Sequence, residues 1–494
     1  MDYISTRNSK VSVSASESIV KGISKDGGLF VPSSFPTITL DEIASLQDKS
    51  YKERAAYIIG KYLTEFTYEE LLSLTTKAYS KFDSEETAPL VKLDEGTFVM
   101  ELWHGPTCAF KDMALTLLPH LMTSSREKVG AKDKTLILVA TSGDTGKAAL
   151  EGFSDVDGTE IIVFYPNDGV SDMQKLQMAT QEGKNVHVAA IEGNFDDAQS
   201  GVKKIFANED VNEELKKLGY KLSSANSINW GRLVPQIAYY ISSYVDLVAS
   251  EEIELGDKVN FCVPSGNFGN ILACYYAKRM GLPVNKLICA SNENNVLTDF
   301  MNTGVYDINR EFYKTTSPSM DILISSNLER LLFEMFDRDD KKINNLMQQL
   351  KEEGKYSIDK SLIEKNSFVG GCCDVEDTKD TIDNIFDEYG YLLDTHTAVA
   401  MNVYSSYVLA SNDETPTVIV STASPYKFPC DVLEAITGQY VDDAFVAGKK
   451  LQLESATEMP ESIAKLKEKK VLHKDIIKVN EMANTVIKYC GGDK

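Results

Sequence analysis

Three features of this 494-residue chain predict an α/β architecture with largely parallel sheets. Six short apolar runs rich in Val and Ile recur from residue 135 onward, stretches of helix length separate them, and several end in glycine- or hydroxyl-rich turns. Strands alternating with helices favour βαβ units, and continuously apolar runs mark strands covered on both faces. At about 100–200 residues per domain, the length favours two to four domains with cores of their own.

The runs are TLILVAT at 135–141, EIIVFYP at 160–166, NVHVAAIEG at 185–193, VNFCVP at 259–264, KLICASN at 286–292 and TVIVST at 417–422. Residues 1–90 read as mostly helical after an irregular opening, with DGGLFVP at Asp26–Pro32 turning into an extended piece and LLSLTTKAYSKF as a helix. The stretch from about 300 to 395 is charged (DRDDKK, LKEEGK) and reads as a helical insertion. The segment 431–494 also reads as helical, with ESIAKLKEKK as a solvated basic face.

Composition excludes several functions. Hydrophobic residues make up 43% and charged residues 25%, which fits a folded globular chain and not a disordered or collagen-like one. The net charge of −23 repels polyanions, so nucleic acid is not expected as a partner. A small anionic ligand would need a local gathering of donors. The eight cysteines include no CxxC pair and the five histidines no HxxxH spacing, so neither a disulfide framework nor a metal site is expected. No apolar run reaches the roughly 18 residues of a membrane span, and MDYISTRNSK lacks the apolar core of a signal peptide. A cytoplasmic protein without membrane partners is the expectation.

Three of the apolar runs end in turns that open helices: SGDTG at Ser142–Gly146, PSGNFGN at Pro264–Asn270 and STAS at Ser421–Ser424. In one parallel sheet all three would lie at the carboxyl edge, where ligands of open α/β sheets bind and helix N-termini offer unspent amides to an anion. GDTGKA is no P-loop, having two residues between its glycines and Ala148 after Lys147, and SGNFGN lacks the GxGxxG dinucleotide fingerprint. A fourth segment, ELWHGPTCAFKDMA at Glu101–Ala114, sets Lys111 among Trp103, Phe110 and Met113. A lysine there is a snorkelling surface residue, the partner of Asp112, or a buried amine whose lowered pKa lets it form a Schiff base with a carbonyl cofactor.

Taken together, FKD at Phe110–Asp112, SGDTG, NSINWGR at Asn226–Arg232, SGNFGN at Ser265–Asn270 and STAS resemble, in order and over nearly the whole chain, the threonine synthases, pyridoxal-phosphate enzymes of the tryptophan-synthase β fold. DGGLFVP and ELWHGPT extend the likeness, and the SGDTG form and the length resemble the fungal and enterobacterial branch. The resemblance implies a type II pyridoxal-phosphate fold of two three-layer α/β/α domains, with a helical N-terminal region at 1–90. It implies a smaller domain at 91–235 that carries the lysine, a larger one at 236–430 that holds the insertion, and a C-terminal helical segment at 431–494.

For the site, the resemblance implies that Lys111 carries pyridoxal 5'-phosphate as a Schiff base and moves protons at Cα and Cβ once freed. Gly266, Asn267, Phe268, Gly269 and Asn270 would cradle the cofactor phosphate, and the Thr422 hydroxyl would meet the pyridine nitrogen. The implied substrate is O-phosphohomoserine. Thr141, Ser142 and Thr145 would take its carboxylate end, with Asp144 near the cofactor or amine. Asn226, Ser227, Asn229 and Arg232 would lie near the leaving phosphate, with Lys427 as a further contact. Asn226 and Asn229 equally suit helix capping, and Trp230 suits the core. The implied reaction is γ-elimination of phosphate followed by addition of water at Cβ to give threonine, in a monomer or homodimer. A phospholyase releasing 2-oxobutyrate, or a non-catalytic relative, is compatible with the same motifs. Ser424 and Lys147 depart from the family's usual residues at their positions.

Overall fold

The structure, a computed structural model, describes residues 1–141, 143–168 and 170–492. All six apolar runs are strands, and they divide between two sheets. The five-stranded sheet is parallel throughout, in the order Asp475–Lys478, Val186–Glu192, Thr159–Pro166, Lys134–Ala140 and Tyr220–Ser223. The six-stranded sheet runs Phe368–Cys372, Val284–Ser291, Val259–Pro264, Thr417–Ser421, Thr97–Glu101 and Leu90–Asp94, with only the last strand antiparallel to its neighbour. Every residue of Thr159–Pro166, Val259–Pro264 and Thr417–Ser421 is buried, as two-sided cover requires.

Because there are two sheets, the three glycine- or hydroxyl-rich turns do not share a single carboxyl edge. The turn after Lys134–Ala140 belongs to the five-stranded sheet, and those after Val259–Pro264 and Thr417–Ser421 to the six-stranded one. The two edges face each other across an ion pair, Lys427 Nζ to Asp144 Oδ1 at 2.9 Å.

The expected boundaries also differ from sheet membership. Leu90–Asp94 and Thr97–Glu101 belong with the larger sheet, because Thr97–Glu101 pairs in parallel with Thr417–Ser421, more than 300 residues away in sequence. The stretch from about 300 to 395 is not only a helical excursion: FVGGC at Phe368–Cys372 is the outer strand of the larger sheet, and Val305–Asp307 pairs with Lys355–Ser357 in a two-stranded ribbon. The segment 431–494 likewise contributes a strand, Asp475–Lys478, to the edge of the smaller sheet. These strands have three to five residues each, too short to show a period.

The N-terminal opening is not irregular. Asp2–Ser5 pairs with Asn8–Ser14 and with Phe30–Pro32 in an antiparallel sheet, and helices Tyr51–Tyr62 and Tyr68–Ala78 follow, each opened by a capping box. This region seats on the 20-residue helix Trp230–Ala249, whose fully buried Trp230 ring packs against Tyr3, Tyr62 and Tyr276 at 5.3–5.5 Å between centroids. Among the described residues no helix is long and apolar enough to cross a membrane.

Candidate active site

Lys111 stands where the chain passes from one sheet to the other. The Phe110 N–H donates to the Thr422 carbonyl at 2.8 Å, Ala109 bridges to Ala423, and Lys427 Nζ donates to the Thr107 carbonyl at 2.8 Å, so the lysine segment is laced to the turn after Thr417–Ser421. The Lys111 side chain is buried, with Nζ 5.1 Å from the Phe110 ring centroid. Burial lowers its pKa, and the Lys427 and Arg232 charges push the same way against the opposing pull of Asp144. Asp112 is not its partner. That carboxylate accepts from the Thr107 N–H at 2.8 Å and the Thr107 hydroxyl at 2.6 Å, and burial raises it to about 6. Gly105 makes this turn possible, since a Cβ there would lie 2.4 Å from the Asp112 Cβ.

Asp144, at the start of helix Asp144–Phe153, ties the cations together. Its Oδ1 meets Lys427 Nζ at 2.9 Å and accepts from Gln174 Nε2 at 3.1 Å, and its Oδ2 lies 3.4 Å from Lys111 Nζ. Burial would raise the carboxyl, but Lys427 and Lys111 overcome it and hold the group well below the usual carboxylate range. The Thr141 hydroxyl, expected on substrate, is spent inside the turn, accepting from the Gly143 and Gly146 amides at 3.0 Å each. Gly146 is required there, because its Cβ would fall 2.3 Å from Thr141 Cγ2. Thr145 is half-buried, and Ser142 lies outside the described residues.

The loop Pro264–Asn270 is built differently. Phe268 adopts a left-handed φ of 62° and precedes helix Gly269–Met280, which has no side-chain cap, so its first-turn amides are unspent. The Asn270 Oδ1 is held by the Tyr239 and Tyr240 hydroxyls, which leaves Nδ2 a buried donor without a partner among the described residues. Unspent amides, glycines at 266 and 269 and an orphaned amide donor fit the phosphate of pyridoxal phosphate. Thr422 also fits its expected place. Both of its backbone groups are used, by Phe110 and Thr397, while its hydroxyl makes no hydrogen bond among the described residues. Ser424 caps the turn Pro425–Lys427 through the Tyr426 N–H, and Lys147 is held by Glu151 and Gln181, so both departures serve local structure.

Arg232 is buried, donates once to the Ala225 carbonyl at 3.1 Å and has no carboxylate within ion-pair distance among the described residues; burial lowers it to about 10. Its near neighbours divide. Asn229 is spent on structure, capping helix Trp230–Ala249 through the Gly231 N–H and donating to the Ile19 and Ser224 carbonyls. Asn226 is exposed, and Ser227 is half-buried with its carbonyl accepting from Arg330. Arg330, which the sequence reading missed, is fully buried and donates to the carbonyls of Phe30 and Ile228 and to Asn327.

Also missed were Ser319 and Asp394, in the stretch read as a helical insertion, and His396 just beyond it. Asp394 in LLDTHTA is a helix N-cap, the one local signal available. Surface cavities of about 530 Å³ beside Glu251–Asp257 and about 420 Å³ beside Arg310 and Cys372 lie elsewhere. Lys111 itself is enclosed beneath Ser319, whose hydroxyl is 3.1 Å from Nζ. No group of three or more His, Cys, Asp or Glu side chains among the described residues gathers as metal ligands.

Known proteins are similar to this chain along most of its length. Residues 2–79 match the family described as threonine synthase N terminus, 82–423 the pyridoxal-phosphate dependent enzymes and 397–487 threonine synthase, C-terminal. The chain is 39% identical to threonine synthase of Pseudomonas aeruginosa over 94% of its own length and 97% of that protein's. It is 41% identical to human threonine synthase-like 1 over 85% of its length, and spans 58% of that relative. Among solved structures, the pyridoxal-phosphate-bound threonine synthase of Brucella melitensis (36% identity, TM-score 0.88, 99% of both chains) and the yeast enzyme (34%, TM-score 0.88, 99% of this chain and 98% of that one) are similar throughout. A chain matched along almost its whole length in this way belongs to the threonine synthase family of pyridoxal-phosphate-dependent enzymes.

Proposed function

We propose that the protein is a threonine synthase, a lyase that converts O-phospho-L-homoserine and water to L-threonine and phosphate. The observation that carries this reading is the clustering of Lys111, Lys427 and Arg232, three buried basic side chains among which Asp144 is the one bonded carboxylate among the described residues, in a chain of net charge −23. Such a cluster is costly unless anions complete it, and a bound phosphorylated cofactor and a phosphorylated amino acid would do so.

Pyridoxal phosphate, held by Lys111, the 266–270 loop and the Thr422 hydroxyl, supplies the electron sink for charge developing on the substrate carbons. Burial lowers the pKa of Lys111, which eases loss of its proton, and its Nζ would take a proton from Cα and return one at Cβ. The Thr422 hydroxyl would meet the ring nitrogen of the bound cofactor, and a neutral partner there would favour an unprotonated ring nitrogen. Arg232, with most of its donors unspent, suits the leaving phosphate. Lys427 acts by pinning Asp144 and the lysine segment together, while the structural duties of Thr141 and Asn229 leave substrate binding to the remaining residues of their loops.

The test is an assay with O-phosphohomoserine in which phosphate and amino-acid products are both measured. Equal yields of phosphate and threonine are expected, and Lys111→Ala should lose turnover altogether. Phosphate accompanied by 2-oxobutyrate would establish the second reading, a phospholyase, which rests on the likeness to relatives named only threonine synthase-like. Light scattering on the same preparation checks the proposed monomer or homodimer.

A further inference from the structure

The segment 315–327 lies across the site as a strap. On one side it rests on the 266–270 loop: a Cβ on Gly266 would fall 2.8 Å from the Ser319 carbonyl, Ser325 Oγ donates to the Gly266 carbonyl at 2.8 Å, and Asn327 Nδ2 donates to the Asn267 carbonyl at 3.1 Å. On the other side it is gripped by the N-terminus of helix Thr395–Ser411. Thr395 Oγ1 donates to the Thr316 carbonyl at 2.8 Å, and the Ser319 N–H donates to His396 Nε2 at 3.2 Å. At the centre the Ser319 hydroxyl accepts from Lys111 Nζ at 3.1 Å and lies 3.5 Å from Asp144 Oδ2.

The geometry points to Asp394 and His396 as positioning residues that act through Ser319 to fix the amine of Lys111. A ring nitrogen that accepts from a backbone N–H carries no proton, so the His396 proton resides on Nδ1, 3.0 Å from Asp394 Oδ1. Asp394 is itself fixed, accepting from the His396 and Thr397 amides and the Thr397 hydroxyl as the cap of its helix. The run passes from the buried Asp394 and His396 through the backbone of the half-buried Ser319 to its hydroxyl, and ends on Lys111 Nζ. Its role is to hold one oxygen at a set distance from the amine, so that Nζ presents its lone pair or proton in a single direction. A serine on an unsupported loop would pay that ordering cost at each turnover.

This inference rests on Lys111 being the cofactor lysine, and the experiment separates the two. The visible absorption band of the cofactor-loaded full-length protein is titrated with pH, and the rate at which cofactor-free full-length protein captures pyridoxal phosphate is followed at the same band. Ser319→Ala removes an acceptor from the protonated lysine nitrogen, so the midpoint should fall by about one pH unit and capture should slow about tenfold. His396→Gln places an oxygen near the Nε2 position and should keep the wild-type midpoint. His396→Asn keeps a donor toward Asp394 but lacks that acceptor, and should shift the midpoint as Ser319→Ala does. The inference is overturned if Ser319→Ala leaves both readouts unchanged, or if the Gln and Asn variants behave alike. If Lys111→Ala instead keeps the wild-type band, the assignment of the lysine has failed and not the role of the strap.

Discussion

The two strand-to-helix turns that face each other across the site look alike in sequence and are wired in opposite ways. After Val259–Pro264, the helix begins at a left-handed Phe268 with no side-chain cap, unspent amides and a free Asn270 Nδ2. After Lys134–Ala140, the amides of Gly143 and Gly146 are already taken by the Thr141 hydroxyl, and Asp144 supplies a built-in anion for Lys111 and Lys427. At one helix N-terminus no side chain turns onto the first amides, and at the other the Thr141 hydroxyl takes two of them while Asp144 pairs with the neighbouring lysines. A glycine-rich turn is therefore an anion site only when nothing in its own sequence satisfies it first.

The strongest way to break this contrast is to remove the built-in anion. Asp144→Asn leaves Lys111 and Lys427 buried without their carboxylate and should cost about 3 kcal/mol or more in urea unfolding. Added phosphate should then stabilise the variant more than the wild type; equal responses would mean that Asp144 does not stand in for a bound anion. Thr141→Val, which leaves two buried amides unpaired, should cost about 2 kcal/mol in the same measurement. On the open side, Asn270→Asp keeps the acceptor for Tyr239 and Tyr240 but replaces the unspent donor with a negative charge. It should weaken cofactor binding about tenfold by equilibrium dialysis, and unchanged affinity would remove Asn270 from the cradle.

The smallest effect concerns a third strand end, Thr97–Glu101, where charge is matched locally. Burial of His104 opposes its protonation, but Asp83 at 2.7 Å and Glu101 at 2.8 Å prevail and raise it to about 9. Its folded pKa is above the ordinary 6.5, so the contribution is complete below pH 6.5 and is lost as pH rises through 9. Because Asp83 is exposed, about 1 kcal/mol is expected. His104→Gln should flatten the stability profile between those limits.

The proposed cofactor half of the site was legible as a set of motifs because each lies in one short stretch of chain. Lys111, the 266–270 loop and Thr422 each sit in a short motif, and the six apolar runs are long enough to declare themselves as strands. What was not legible depends on distant pairing. Thr97–Glu101 joins the larger sheet through a partner beyond residue 416, and FVGGC and DIIK are edge strands too brief to show a pattern. Thr141 as a substrate contact, and Asn229 as either a substrate contact or a helix cap, could not be told apart in sequence because a polar side chain in a loop looks the same whether it faces a ligand or its own backbone. Ser319 and His396 carried no signal at all, since their meaning lies in meeting each other across 77 residues.

Arg330 bears on how the molecule holds together as a whole. Its guanidinium touches Phe30 from the N-terminal sheet, Ser227 and Ile228 from the loop before Trp230, and Asn327 from the strap. Peeling away the N-terminal stretch would strip a buried charge of an acceptor and loosen the ground beneath the cofactor loop, to which Asn327 is also bonded. The boundary that separates the family matches at residues 79 and 82 is thus crossed by buried hydrogen bonds, and the stretches on either side of it are expected to unfold in one transition.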